Sequence, residues 1–182
     1  MATTGTALMS WEEFEQLPDG DGIHRELIEG ELQELPPAKS GHSRIATKVF
    51  LALLPLQQSG VGEVLIEAGF KLSARKSSWI QPDVSFVSKG RILSTAEDGY
   101  FLDPPDLAVE VVSPSETAPA LQNKVDIMLE RSCKAVWVIF PKTKTVKVHL
   151  PDGTSYTRSA GARLDAPFLD PDWSMAVDEL FA

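Results

Sequence analysis

The chain has 182 residues, of which 43% are hydrophobic and 24% charged, with a formal net charge of −9. That is the composition of one soluble globular domain; it argues against a chain-wide basic clamp on nucleic acid and suits a site where clustered carboxylates attract divalent cations. One cysteine, Cys133, excludes an internal disulfide and argues against a Cys-based zinc site.

The N-terminal "MATTGTALMS" has neither a basic leader nor an apolar core, and no apolar run nears the roughly 18 residues of a membrane span, so the expected location is the cytoplasm. "SWEEFEQLP" predicts a short helix: Ser10 and Glu13 form a capping-box pattern and Pro18 stops it. "IHRELIEGELQELPP" has two short runs meeting at Gly30, which predicts a tight hairpin or a bulged strand pair. In "SGHSRIATKVFLALLPLQQSG", Ile45, Val49, Ala52, Leu53 and Leu56 trace one helical face, with Ser40 as N-cap and Pro55 kinking or shortening the last turn. "GEVLIEAGFKLS" reads as a strand or hairpin, "WIQPDVSFVS" as a strand entered through a proline, and "KGRILSTAEDGYFLDPP" as loop.

"DLAVEVVS" is the best central strand, "ALQNKVDIMLERS" a helix with Leu121, Val125, Met128 and Leu129 on one side, and "KAVWVIFP" a second buried strand. These three predict a parallel, right-handed strand–helix–strand unit. "KTVKVHLPDGTSYT" predicts a hairpin reversed at "PDG", and "MAVDELF" a last short helix. The expected fold is mixed α/β: a central mixed sheet flanked by helices, with hairpins at both ends. It forms a single domain with its core at about residues 11–150 and a C-terminal extension over 151–182.

Three acids sit in strand-like apolar contexts: Glu26 in "RELIEG", Asp83 in "QPDVSFV" and Glu110 in "AVEVVS". An ionised Glu110 in so apolar a strand costs several kcal/mol or more unless compensated. A divalent cation is one compensation, since carboxylates at about 2.1 Å suit magnesium. A buried salt bridge with Lys124 is another and needs no chemistry, and an edge position would spare Glu110 the burial altogether. Asp83 also reads as a turn acid after Pro82, Lys124 as a solvent-exposed helix lysine, and His42 as a first-turn surface histidine. Ser113 and Ser115 lack the G-x-S-x-G context of a serine hydrolase, and no Walker-type loop is present.

The segments "RELIEGEL", "PPAKSGHSRI", "PDVSFV", "PPDLAVEVVSPSE" and "AVWVIFP", with a spaced lysine, resemble the Uma-two family of the PD-(D/E)XK nuclease superfamily from about Trp11 to His149. The resemblance implies a restriction-endonuclease-like fold and a magnesium- or manganese-dependent endonuclease acting on DNA as a possible homodimer. It also implies site roles. Asp83 and Glu110 are metal ligands, the backbone carbonyl of Val111 completes the shell, and Glu26 is the additional N-terminal acid. The superfamily lysine is expected at position 112, which is Val112 here, and Lys124 on the following helix stands in for it. His42 matches a family histidine and is a candidate substrate contact. The alternative is a catalytically inactive nuclease fold serving as a binding or assembly module, which the net charge and the absent strand lysine favour.

Overall fold

The computed structural model describes residues 8–18, 22–73, 77–92, 100–114 and 116–182. It begins with α1 (Trp11–Glu15), whose N-cap Ser10 and Glu13 complete both halves of the expected capping box. The hairpin β1 (His24–Ile28) and β2 (Glu31–Leu35) follows. Its two-residue turn holds Glu29 at φ 50° and Gly30 at φ 85°, the left-handed pair that a tight hairpin requires.

The long helix α2 (Ser40–Gln58) is capped by Lys39 without a side-chain hydrogen bond, so Ser40 is its first residue and not its cap. Pro55 stays inside the helix. The carbonyl it leaves without a donor belongs to exposed Leu51, where water can serve it.

Next come β3 (Gly62–Ile66), β4 (Phe70–Ser73), β5 (Ser77–Ile80), β6 (Val84–Ser88) and a single helical turn α3 (Lys89–Ile92). That turn opens the segment expected to be loop, whose residues 93–99 lie outside the described residues. Then β7 (Leu107–Val111), α4 (Ala118–Glu130), β8 (Ala135–Phe140), β9 (Thr145–His149), β10 (Ser155–Arg158), β11 (Arg163–Asp165), β12 (Ser174–Ala176) and α5 (Val177–Phe181) complete the chain. Met175 and Ala176, expected in the last helix, belong to β12 instead.

Six strands form the central mixed sheet, in the order β10-β9-β8-β7-β6-β3, in which β7 and β8 are parallel, as the crossover through α4 demands. A second sheet has the order β2-β1-β5-β4. Two expectations about strand grouping give way here. "GEVLIEAGFKLS" is not a hairpin, since β3 pairs with β6 in the central sheet and β4 with β5 in the other. "WIQPDVSFVS" is not one strand but β5, a three-residue link and β6. The link is Gln81-Pro82-Asp83: Pro82 has no N–H for a ladder, and the Gln81 N–H is donated to the Glu26 carboxylate at 2.8 Å.

Period-two alternation assigns the two faces of the central sheet. Leu107, Val109, Val111, Trp137 and Ile139 face α2. The C-terminal segment packs into that same core through Leu164, Met175, Val177 and Leu180, so residues 151–182 share it with the rest of the domain. On the opposite face Ala108, Val136 and Val138 meet α4 through Leu121, Val125 and Met128, and meet the second sheet through Ile28, Phe70 and Ile80. Glu110 alternates onto this α4 face.

Candidate active site at the junction of the two sheets

Every residue of β7 is buried, and Glu110 is only 4% exposed. Lys124, five per cent exposed on α4, reaches its carboxylate: Nζ lies 2.9 Å from Glu110 Oε2 and 2.9 Å from Glu26 Oε1. Glu26, on β1 of the other sheet, takes both that ammonium and the Gln81 N–H on the same oxygen. The ammonium thus ties a strand of each sheet to one helix. Its third N–H has no protein partner among the described residues.

Asp83 ends the link between the sheets. The β6–β7 register pairs Val84 with Val109, and one step further sets Asp83 opposite Glu110, on the same face. Asp83 Oδ2 accepts the Val111 N–H at 2.6 Å and lies 3.1 Å from His42 Nε2. Oδ1 has no hydrogen-bond partner among the described residues. His42 arrives from the first turn of α2, and its ring meets one of the groups expected to bind metal.

The charge balance is uneven. Burial, with the charges of Asp83 and Glu26 adding, pushes the Glu110 carboxyl well above the ordinary carboxylate range despite the opposing pull of Lys124. Burial works against the Lys124 ammonium, yet the charges of Glu110 and Glu26 outweigh it and hold its pKa above that of a free lysine. The His42 pKa is raised, first by its hydrogen bond to Asp83 and then by the Asp83 charge, the Val111 carbonyl and Glu67, against the effect of burial. Each of these shifts favours a bound proton. The pocket holds more carboxylate than its one ammonium neutralises and is poised to take up positive charge.

The five side chains singled out from the sequence are brought together: Glu26, Glu110 and Lys124 in one ion-paired group, with Asp83 and His42 bonded to each other beside it. Lys124 is buried rather than solvent-exposed, so the helix-surface reading of it fails. Glu116 was not foreseen. It sits in the loop before α4, and burial raises its pKa in the field of Lys124, Glu26 and Asp83. Its only sequence signal was position, just after "LAVEVVSPS".

Among the described residues no group of three or more His, Cys, Asp or Glu side chains is arranged to hold a metal ion. The expected ligand set does not need one. It combines two carboxylates with a backbone carbonyl, and magnesium characteristically keeps several waters beside one or two carboxylates. The atom that speaks for a cation is Glu110 Oε1, which is buried with no hydrogen-bond partner among the described residues. An orphaned carboxylate oxygen in a pocket rich in negative charge fits a divalent ion.

A family model described as "Uma2: Putative restriction endonuclease" matches residues 11–178. Among solved structures, "a putative nuclease belonging to DUF820 from Anabaena variabilis ATCC 29413" is similar over 95% of this chain and 97% of that chain, at a TM-score of 0.84 and 22% identity. At that identity the likeness is one of fold. No curated relative matches the chain.

Proposed function

The chain belongs to the Uma2 family, and from that premise we propose that it is a magnesium- or manganese-dependent endonuclease that hydrolyses phosphodiester bonds in DNA. The observation that carries the reading is Glu110: a carboxylate buried in the central strand, half satisfied by Lys124, with its second oxygen orphaned on the face that also holds Asp83.

Asp83 and Glu110 are the residues that would hold the ion, with the backbone carbonyl of Val111 as a third ligand. When bound, the ion supplies positive charge against a phosphoryl oxygen and activates a water for attack. Lys124 acts as an ammonium and not as a base, because its raised pKa keeps the proton in place. Its third N–H is available to orient the attacking water or to meet a phosphate oxygen. Glu26 holds the ammonium on target by accepting from it at 2.9 Å. His42 positions Asp83 and lies at the entrance as a candidate phosphate contact. As the water oxygen bonds to phosphorus in line it gives up a proton to solvent, and the bond to the leaving oxygen breaks as that oxygen takes up a proton from solvent.

The test is a cleavage assay on plasmid and linear DNA with magnesium or manganese, for the parent and for Asp83→Ala and Glu110→Ala. Cleavage by the parent and its loss in both variants is the expected result; cleavage undiminished in both rejects the assignment. One observation favours the second reading, a nuclease-fold module without catalysis: Lys124 is engaged by two carboxylates, as in a purely structural ion pair. Calorimetric titration with manganese separates the two, since only a metal site loses heat of binding in Glu110→Ala.

A further inference from the structure

Helix α4 has a second flank. Lys124 points to one side, while Leu121, Gln122 and Val125 line a recess of about 260 Å³ on the other, between the helix and the central sheet. Val138 and Phe140 of β8 form its floor, and Lys147 and His149 of β9 its far wall. Glu116 belongs to both places: it lines the recess and lies in the field of Lys124, Glu26 and Asp83. The recess therefore opens at the same end of β7 and β8 as the ion-paired cluster.

His149 is the titratable ring of this recess. It is only 8% exposed, lines the recess, and its ring has no hydrogen-bond partner among the described residues. Its nitrogens are not among the buried unpaired atoms of the described residues, so they keep solvent access and are open to a ligand in the recess. Burial, with Lys147 adding, holds its pKa below the ordinary value, leaving a neutral ring with one donor and one acceptor. Gln122 donates its amide nitrogen to Asp126 at 2.7 Å, which leaves its carbonyl oxygen as an acceptor. Lys147 has no ion-pair partner among the described residues. In a chain of net charge −9, Lys147 is the cation of this recess, which Glu116 also lines, and it follows Lys142 and Lys144 of the β8–β9 turn in the sequence.

An apolar slot with one aromatic ring, hydrogen-bonding groups at its edge and a cation at its rim matches the chemistry of a nucleotide. The volume is below the usual 300–1,000 Å³ of larger ligand sites and suits a single ring system. The flanks of one helix are about 10–12 Å apart, roughly three nucleotides at the stacked rise of about 3.4 Å per strand. Resting on the nuclease reading above, we propose that the recess is a subsite for the substrate strand. It receives one unpaired base a few nucleotides from the scissile phosphate, with the base between α4 and the sheet and its phosphate on Lys147. DNA bound this way is single-stranded or locally opened at that position.

The experiment measures binding apart from cleavage: fluorescence anisotropy of a labelled 12-nucleotide single strand in EDTA, over a series of salt concentrations. Ala118→Trp fills the mouth of the recess, and Lys147→Met removes its cation; circular dichroism checks that both fold. The expected results are at least about ten-fold weaker binding in Ala118→Trp, the scale of one lost base contact, and a salt slope lower by about 1 in Lys147→Met. A chemical-shift change of the His149 ring on adding the strand is the third expected readout. Equal affinity in parent and both variants, or no binding by the parent, overturns the subsite. Cleavage with unaltered binding in Ala118→Trp defeats the subsite alone. Binding sensitive to Ala118→Trp without cleavage defeats the nuclease reading and leaves the subsite standing.

Discussion

Replacing Lys124 by methionine removes one ammonium and almost no volume, and it strands two buried carboxylates. At 2.9 Å and an effective dielectric of about 20, each lost contact is about 6 kcal/mol of gross attraction. The lysine's own desolvation penalty offsets much of that. With all three groups no more than 5% exposed, solvent screening offsets little. The net loss belongs to the class of broken buried pairs, about 3–5 kcal/mol.

The loss should depend on pH in a stated direction. Without the ammonium, the already raised pKa of Glu110 rises further. A carboxyl raised in the folded state contributes stability that is full below its unfolded value, near 4.5, and is lost as pH climbs through the folded pKa. Urea unfolding followed by circular dichroism should therefore show a small deficit for Lys124→Met at pH 5 and the full deficit at pH 8. Neutralising the whole group, with Glu26→Gln and Glu110→Gln added, should recover more than half of it. A deficit below about 1 kcal/mol at pH 8, far under the range for a broken buried pair, or one that does not change with pH, would refute the claim that these carboxylates are charged and buried against the lysine.

Asp83→Asn removes the charge that raises the pKa of His42, so NMR titration of the ring should give a value nearer 6.5 than in the parent. Because a raised histidine pKa adds stability below its unfolded value and loses it as pH rises through the folded one, the parent's advantage from this group should shrink from pH 6 to pH 9. A His42 titration unmoved by the substitution would remove Asp83 as its cause. Just before β4, a Cβ on Gly69 would come within 1.9 Å of the Trp79 ring, so Gly69→Ala should destabilise by about 1–3 kcal/mol through overpacking, read as a lower Tm; an unchanged Tm would contradict that contact.

Much of the site's membership was legible in the residues. Glu110 announced itself as a charge in a strand too apolar to hold it, and the register of β7 confirms its burial. Asp83 and Glu26 were visible as acids in similar settings, although their partners were not. Gln81 gave no sign that its N–H would go to a carboxylate 55 positions earlier in the chain. Glu116 has no local pattern at all; what sets it apart is the field of groups brought beside it by folding.

Local periodicity and turn chemistry, which the sequence carries by itself, determined the capping box at Ser10, the left-handed turn at Gly30, the apolar face of α2 and the two buried strands joined by α4. Tertiary structure decided which strands share a sheet. Alternation says which way a side chain faces but never who sits opposite, so β3 and β4 read as one strand or hairpin and β5 and β6 as one strand until their partners drew them into different sheets. The site lies at that division. Glu26, Asp83, Glu110 and Lys124 come from four separate segments, and only the packing of the second sheet and α4 on one face of the first brings their charges within reach of each other.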